Sequence, residues 1–482
     1  MNEIILSQKL QALARFPILD AALIKEIGAI LRGLDDWSLF RINPLRFASQ
    51  YQMDPAAVTD FFVHGAKVGL LDFSYNMVCP GCGGIEYSHA TLDQIEPDMF
   101  HCTTCNYDVA SNLDDQVKVT FSLNPAVGEV TIDPYTGPQD YYRYFFNAET
   151  EVSPTMLQRQ QQDYRGFVVM EPDEDGKITF QAEPPRAFYR LWCLEVHSVL
   201  YIRVSDQKSA LPQIVDIELV PRGFSPTEVE LAAGEVTLHV HNRTKGKCGM
   251  NLSFTDFEQI VRILQEAPNT WHPYLTGKML LNNQSFRDLF RIQSLTPDLH
   301  LNVRSLTVLF TDLKNSTKMY GQAGDAVAYS LVKKHFDLLI QVVRHHSGSI
   351  VKTMGDAIMA TFSSPQDGVQ AALEMIQEVE PMLALFQKDG YETGLKIGLN
   401  EGPALAVNAD DRLDYFGQNI NVAARVQGLA DAGEIWLTEA VFGSYGVEAI
   451  LRQHGYQLHK QSALLRGVNR PAIVYQCTLP KT

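Results

Sequence analysis

The chain has 482 residues and a formal net charge of −16, enough length for roughly three domains at ~150 residues each and a charge that opposes broad electrostatic attraction to nucleic acid or anionic lipid. No apolar run reaches the ~18 residues that a membrane helix needs, and the first thirty residues, with Glu3, Lys9, Arg15, Asp20, Lys25 and Glu26, lack a signal-peptide core. The expected protein is cytoplasmic, with neither a membrane nor nucleic acid as its main partner.

Residues 1–75 read as helical. Apolar residues recur at helical spacing through Leu6, Leu10 and Leu13 and again through Leu23, Ile27 and Leu31. Asp54-Pro55 is a helix-start signal, and the short helical patterns on either side of it suit a helix-turn-helix or winged-helix unit. Such pairs are ordinarily plain packing, and the acidic balance argues against a DNA role.

Residues 76–112 carry a sharper signal. Cys79-Pro80-Gly81-Cys82 and Cys102-Thr103-Thr104-Cys105 are two CxxC turns separated by nineteen residues, the spacing of a four-thiolate zinc ribbon. With Cys79, Cys82, Cys102 and Cys105 all serving as ligands, the ion has no open position, so a structural Zn²⁺ is expected. The other cysteines, Cys193, Cys248 and Cys477, are scattered, which suits a reducing compartment.

Residues 113–300 turn to β character. Val117–Phe121, Leu200–Val204, Ile214–Leu219 and Glu235–His241 are β-branched or period-two runs punctuated by Pro and Gly, as in a sandwich. His239 and His241 fall on one strand face with Cys248 and Met250 downstream, but that order does not match a copper-binding loop. Phe257–Leu264 and Ser285–Ile292 have helical patterns, the second running into the C-terminal third.

Residues 301–482 are organised by two acids. The apolar run Leu306–Phe310 ends at Thr311-Asp312-Leu313, and Val351–Phe362 reads as two strands joined at Gly355-Asp356. Two carboxylates at neighbouring strand ends can share Mg²⁺ or Mn²⁺, hard ions that act on phosphates. A lone Gly-Asp is usually only a turn, so the reading needs the rest of the region. Lys314-Asn315-Ser316-Thr317 supplies helix-start residues beside Asp312, Val369–Phe386 a second helix, and Gly394–Val407 a strand pair turned at Gly402-Pro403. The order strand, helix, two strands, helix, strand is the split βαβ, ferredoxin-like arrangement. The predicted fold is therefore mixed: a helical segment, a zinc ribbon and a β-rich sandwich-like domain, then an α+β domain of ferredoxin-like type.

Phe310–Leu313, Lys352–Asp356 and Asp414-Tyr415-Phe416-Gly417-Gln418-Asn419-Ile420-Asn421-Val422-Ala423-Ala424-Arg425 together resemble, in order and spacing, the motifs of class III nucleotidyl cyclases, closest to the adenylyl cyclase branch. The whole chain resembles bacterial proteins in which an uncharacterised domain with a zinc ribbon precedes such a cyclase. The resemblance implies that Asp312, Asp356 and the Leu313 carbonyl hold two Mg²⁺ or Mn²⁺ ions. It further implies that Lys352 and Asp414 read the base, that Asn421 orients the ribose or phosphate, and that Arg425 neutralises charge on the α-phosphate. Arg466 stands where the family usually has a phosphate-binding Lys, Lys396 where an Arg often faces the terminal phosphates, and Asn400 at a position commonly His.

The reaction implied by this resemblance is attack of the ribose 3′-OH of ATP on its α-phosphate, giving 3′,5′-cyclic AMP and pyrophosphate. Because such a site draws its metal acids from one domain and its base-reading residues and Arg from another, a chain carrying each set once is expected to act as a head-to-tail homodimer. Two alternatives stay open: a cyclase of GTP or a pyrimidine nucleotide, and a regulator in which the cyclase domain only senses nucleotide.

Overall fold

The structure is a computed structural model and describes residues 1–95, 99–183, 188–290, 300–316, 325–387, 393–409, 412–467 and 470–480. Five helices open the chain: α1 (Glu3–Leu13), α2 (Ala21–Gly33), α3 (Asp36–Leu39), α4 (Pro44–Tyr51) and α5 (Pro55–Val68). Their starts follow capping chemistry. The side chains of Asn2, Asp35, Asn43 and Asp54 accept backbone N–H groups, and Pro44 and Pro55 lie in first turns, where no N–H is needed. Gly69, at φ 72°, ends α5 in the left-handed conformation.

The chain then forms β1 (Leu71–Val78), β2 (Ile85–His89), a hairpin of β3 (Met99–Cys102) and β4 (Tyr107–Ala110), and β5 (Val117–Leu123). β1 pairs with β2 on one side and β5 on the other. Thus β5, which the sequence groups with the β-rich region, extends the sheet that follows the helices. Its Phe121 meets Phe62 of α5 edge-on at 5.3 Å.

Next come α6 (Pro138–Phe145), β6 (Thr150–Glu151), α7 (Pro154–Asp163) and eight strands: β7 (Tyr164–Met170), β8 (Asp175–Ala182), β9 (Phe188–Cys193), β10 (Ser198–Lys208), β11 (Gln213–Val220), β12 (Gly223–Ser225), β13 (Glu228–Asn242) and β14 (Cys248–Phe254). The sandwich-like region expected here has two sets of strands that share β13, with parallel as well as antiparallel pairings. The strands form one path, β12-β11-β13-β10-β9-β14-β7, with β8 also on β13. The long β13 is the reason: its first half pairs in parallel with β10, and its second half pairs with β11 and β8. One strand thereby serves both halves of a sheet that closes around Leu191, Leu200, Ile217, Leu238 and Val240.

α8 (Phe257–Glu266), β15 (Thr270–Trp271), α9 (Gly277–Leu281) and α10 (Gln284–Leu289) return to the N-terminal helices, where Phe286 and Phe290 pack edge-on against Phe73. The helix expected over Ser285–Ile292 ends sooner, at Leu289, and its last residues lie outside those described.

The C-terminal region runs β16 (His300–Leu313), α11 (Asp325–His345), β17 (Ser349–Met354), β18 (Ala357–Phe362), α12 (Pro365–Gln387), β19 (Leu395–Ala409), β20 (Arg412–Phe416), α13 (Gln418–Gln427), β21 (Ile435–Thr438), α14 (Glu439–Phe442), α15 (Val447–Gln453), β22 (Gln457–Ala463) and β23 (Ala472–Thr478). The sheet order is β17-β18-β16-β19-β21-β23-β22, with β20 folded back on β19. Its first four strands with α11 and α12 make the split βαβ arrangement.

One expectation fails here. Gly402-Pro403 is not a turn but an interior point of the continuous β19, opposite a register shift in β16 between Val303 and Leu306. A bulge accommodates the proline that a regular ladder would exclude.

The two faces of this sheet have different partners. Leu309, Ile397 and Leu399 pack under α11, α12 and α15. Val308, Phe310, Met359, Ala404 and Ala406 share a core with Ala423 of α13 and with the N-terminal helices and sheet. Main-chain and side-chain bonds reinforce the junction, including Leu113 N–H to the Asn302 carbonyl at 3.0 Å and Lys278 to the Ser305 carbonyl at 3.1 Å. Among the described residues, no helix is long and apolar enough to cross a membrane.

Candidate active site

Asp312 sits where β16 ends, and Asp356 occupies the turn between β17 and β18, after Gly355 at φ 64°. β16 and β18 are antiparallel neighbours, with Phe310 opposite Met359, so the strand end and the turn meet. The Leu313 N–H and the Ser316 hydroxyl donate to the Asp356 carboxylate. Burial, followed by the nearby Asp312 charge, outweighs these donors and holds Asp356 above the usual carboxylate range.

The Asp356 Oδ2 atom is buried and has no hydrogen-bond partner among the described residues. A buried, orphaned carboxylate oxygen facing a second acid is a donor set that suits a hard divalent cation, since such an ion satisfies both charges at once. Asp312, Leu313 and Asp356 therefore fit Mg²⁺ or Mn²⁺.

Lys396 stands directly opposite Asp312 on β19, and its Nζ lies 2.9 Å from Asp312 Oδ2. The strand pairing thus sets its ammonium beside the acids. Behind the turn, His335 of α11 is buried, and burial pushes its imidazole down to about 4, so it is neutral near pH 7. Nothing in the sequence distinguishes this histidine from any other on an apolar helix face.

A second group lies across the sheet. Lys352 on β17 reaches Asp414 on β20, Nζ to Oδ2 at 2.6 Å. Both strands are held from the N-terminal region. The side chain of Gln284 accepts the Ile350 N–H at 2.7 Å, and Arg287 donates to the Leu413 carbonyl, with its guanidinium 5.7 Å from the Tyr415 ring. Cross-domain contacts of this kind leave no mark in a sequence.

Asn421 and Arg425 occupy exposed positions on α13, four residues apart and so on one face. Neither has a partner among the described residues, and the same holds for the exposed Arg466. The helix itself is firmly seated. Asn419 donates to the carbonyls of Leu306 and Gly402, each at 2.9 Å, and Asn400 bonds Asn419 and accepts from Thr438 at 2.8 Å. Gly398 lets the end of α13 approach the sheet: a Cβ there would fall 2.1 Å from the Gln427 nitrogen.

The four cysteines of residues 76–112 converge. Cys79 and Cys105 Sγ are 3.9 Å apart, and Cys82 and Cys102 Sγ are 3.6 Å apart. A tetrahedral zinc with bonds of ~2.3 Å spaces its sulfurs ~3.8 Å apart, so the donors fit. In each knuckle the residue after the second cysteine, Gly83 or Asn106, has positive φ. The backbone N–H groups of Gly84 and Cys105 point at Cys82 and Cys102 sulfur. Hydrogen bonds from Cys102, Cys105 and Cys82 drive the Cys79 thiol towards its thiolate.

Two families divide the chain between them. Residues 300–471 match the adenylate and guanylate cyclase catalytic domain, and residues 7–288 match a family of unknown function, DUF5939. The chain is 26% identical over 204 residues to an adenylate cyclase of Lachancea kluyveri, a match covering 39% of this chain and 11% of that protein. It is 28% identical over 138 residues to adenylate cyclase 1 of Rhizobium meliloti, covering 26% and 21%. The matched part is thus a small share of those relatives' length. Among solved structures, the adenylyl cyclase CyaB from P. aeruginosa aligns over 38% of this chain and 97% of that one, at 21% identity and a TM-score of 0.33. The chain belongs to the class III nucleotidyl cyclases through its C-terminal domain and, over most of the remainder, to the DUF5939 family.

Proposed function

We propose that this protein is an adenylyl cyclase that converts ATP to 3′,5′-cyclic AMP and pyrophosphate. The observation that carries the reading is the Lys352–Asp414 pair at 2.6 Å, which sets a donor beside an acceptor. Adenine offers an acceptor at N1 and a donor at N6, so the pair satisfies both. Guanine reverses the pattern and would set donor against donor and acceptor against acceptor.

Asp312, Asp356 and the Leu313 carbonyl hold two Mg²⁺ or Mn²⁺ ions, which when bound make the 3′-OH more acidic and offset the charge of the departing pyrophosphate. Lys396 shares Asp312 in the free protein and turns to the terminal phosphates when substrate enters. Arg425 spreads its planar guanidinium over the charge developing on the α-phosphate, a use to which a rigid fork is suited. Asn421, on the same helix face, orients the ribose, and Arg466 contributes charge to the phosphates.

One site takes its acids from one protomer and its base-reading pair, Asn421 and Arg425 from a second, head to tail. The solvent-facing Arg425, unpartnered among the described residues, supports this, because among those residues the cation at Asp312 is Lys396. The cysteine knuckles hold a structural Zn²⁺. The test is product analysis: the purified chain, given each of the four nucleoside triphosphates with manganese, should make cyclic AMP from ATP at a rate well above any other product. A preference for GTP would overturn the assignment of substrate.

A further inference from the structure

The outer face of the β-rich sheet gathers a group that the cyclase reading leaves unused. On β13, Leu238 and Val240 point into the core, so His239 and His241, alternating with them, share the outer face. The register sets a carboxylate beside each. Asp216 of β11 lies directly opposite His239, and Asp175 of β8 lies directly opposite His241.

The contacts are not two separate ion pairs. His241 Nδ1 is 2.7 Å from Asp175 Oδ1 and His239 Nδ1 is 3.1 Å from Asp216 Oδ1. The crossed contacts close the square: His241 Nε2 lies 3.6 Å from Asp216 Oδ1, and His239 Nε2 lies 3.9 Å from Asp175 Oδ2. Each carboxylate therefore reaches both rings. Because an imidazole gives a single ion only one of its nitrogens, the donor set is Asp175, His239 and His241, whose ligand atoms lie within 4.8 Å of one another, while Asp216 faces the other nitrogen of each ring as an outer carboxylate.

We propose that Asp175, His239 and His241 form a three-donor binding site for one divalent transition-metal ion of the zinc class, distinct from the cysteine ribbon, with Asp216 holding the rings from behind. Two imidazoles with one carboxylate make a borderline N₂O set, suited to Zn²⁺ or its neighbours and poorly suited to Cu⁺, which prefers sulfur. Cys248 and Met250 are buried in the sheet core, so they add no sulfur to the outer face. The two remaining cross-strand neighbours are Lys177, opposite His239, and Glu218, opposite His241. With the Asp175 carboxylate 49% exposed, the ion would exchange with solvent, unlike one enclosed by four buried or half-buried thiolates.

The experiment is zinc stoichiometry on the full chain, stripped with chelator and dialysed against Zn²⁺ in excess Mg²⁺, which occupies the acidic pair of the cyclase domain. The H239Q/H241Q variant should bind one zinc fewer per chain than the parent. The D175N variant, which keeps both rings, should lose the same equivalent. Cobalt loading adds a second readout: the equivalent lost in the variants should lack the sulfur-to-metal charge-transfer absorption of the ribbon. Equal zinc content in the parent and in either folded variant would overturn the proposal, and so would cobalt spectra in which every equivalent is sulfur-ligated.

Discussion

Lys352 and Asp414 come from strands that are not neighbours in the sheet, yet their charged ends meet at 2.6 Å. The expected consequence is a choice of base. Lys352→Ala and Asp414→Ala should each lower kcat/KM for ATP by about 10²-fold, the scale of discrimination when a substrate hydrogen-bond partner is lost. The ratio of ATP to GTP turnover, measured in parallel, should fall towards one.

Asp356 should separate activity from stability. Its carboxyl is held above the usual range by burial and by Asp312, so the folded state binds its proton more tightly than the unfolded chain does. Metal-free stability from this group is accordingly lost as pH rises from the unfolded value of 3.8 through the raised folded value. Asp356→Asn removes that charge. It should unfold at the same or a higher temperature than the parent in chelator, while cyclase turnover is abolished.

Gly398 tests whether the seating of α13 matters. In Gly398→Ala the new methyl would meet the Gln427 backbone, and the helix bearing Asn421 and Arg425 would have to move. The loss should be about 1–3 kcal/mol of stability, as for other overpacked sites, with a fall in kcat larger than any change in KM. Thermal unfolding and steady-state kinetics on the same sample would check both.

The contrast between local and long-range chemistry explains what could be read in advance. Asp356 and the four cysteines lie on or beside tight turns and Asp312 at a strand end, and local residue types announce them: Gly355 permits the hairpin, CxxC spacing makes a knuckle, and an apolar run leads into Asp312. Register across strands carries no such mark. That Asp175 and Asp216 flank His239 and His241, or that Arg287 binds the strand beside Asp414, depends on which strands pair. Gly402-Pro403 misleads for the same reason, because its bulge is defined by the partner strand β16. Nor does the sequence mark the double role of β13, whose fifteen residues look like one strand and serve two sets of partners.

The ribbon should behave as a metal-dependent fold. Cys82→Ser removes one of four sulfurs around a closed site, so zinc content should fall by one equivalent per chain and the unfolding temperature should drop by several degrees or more. Elemental analysis with calorimetry would register both changes, and chelator should reproduce them in the parent.

The most direct test of the shared site mixes two inactive chains. Asp356→Ala lacks an acid and Arg425→Ala lacks the cation, but a head-to-tail heterodimer of the two contains one site with both intact. In an equal mixture half of the dimers are mixed and each keeps one of two sites, so the account predicts recovery to about a quarter of parental cyclic AMP production. No recovery from two folded, dimerising variants would contradict it.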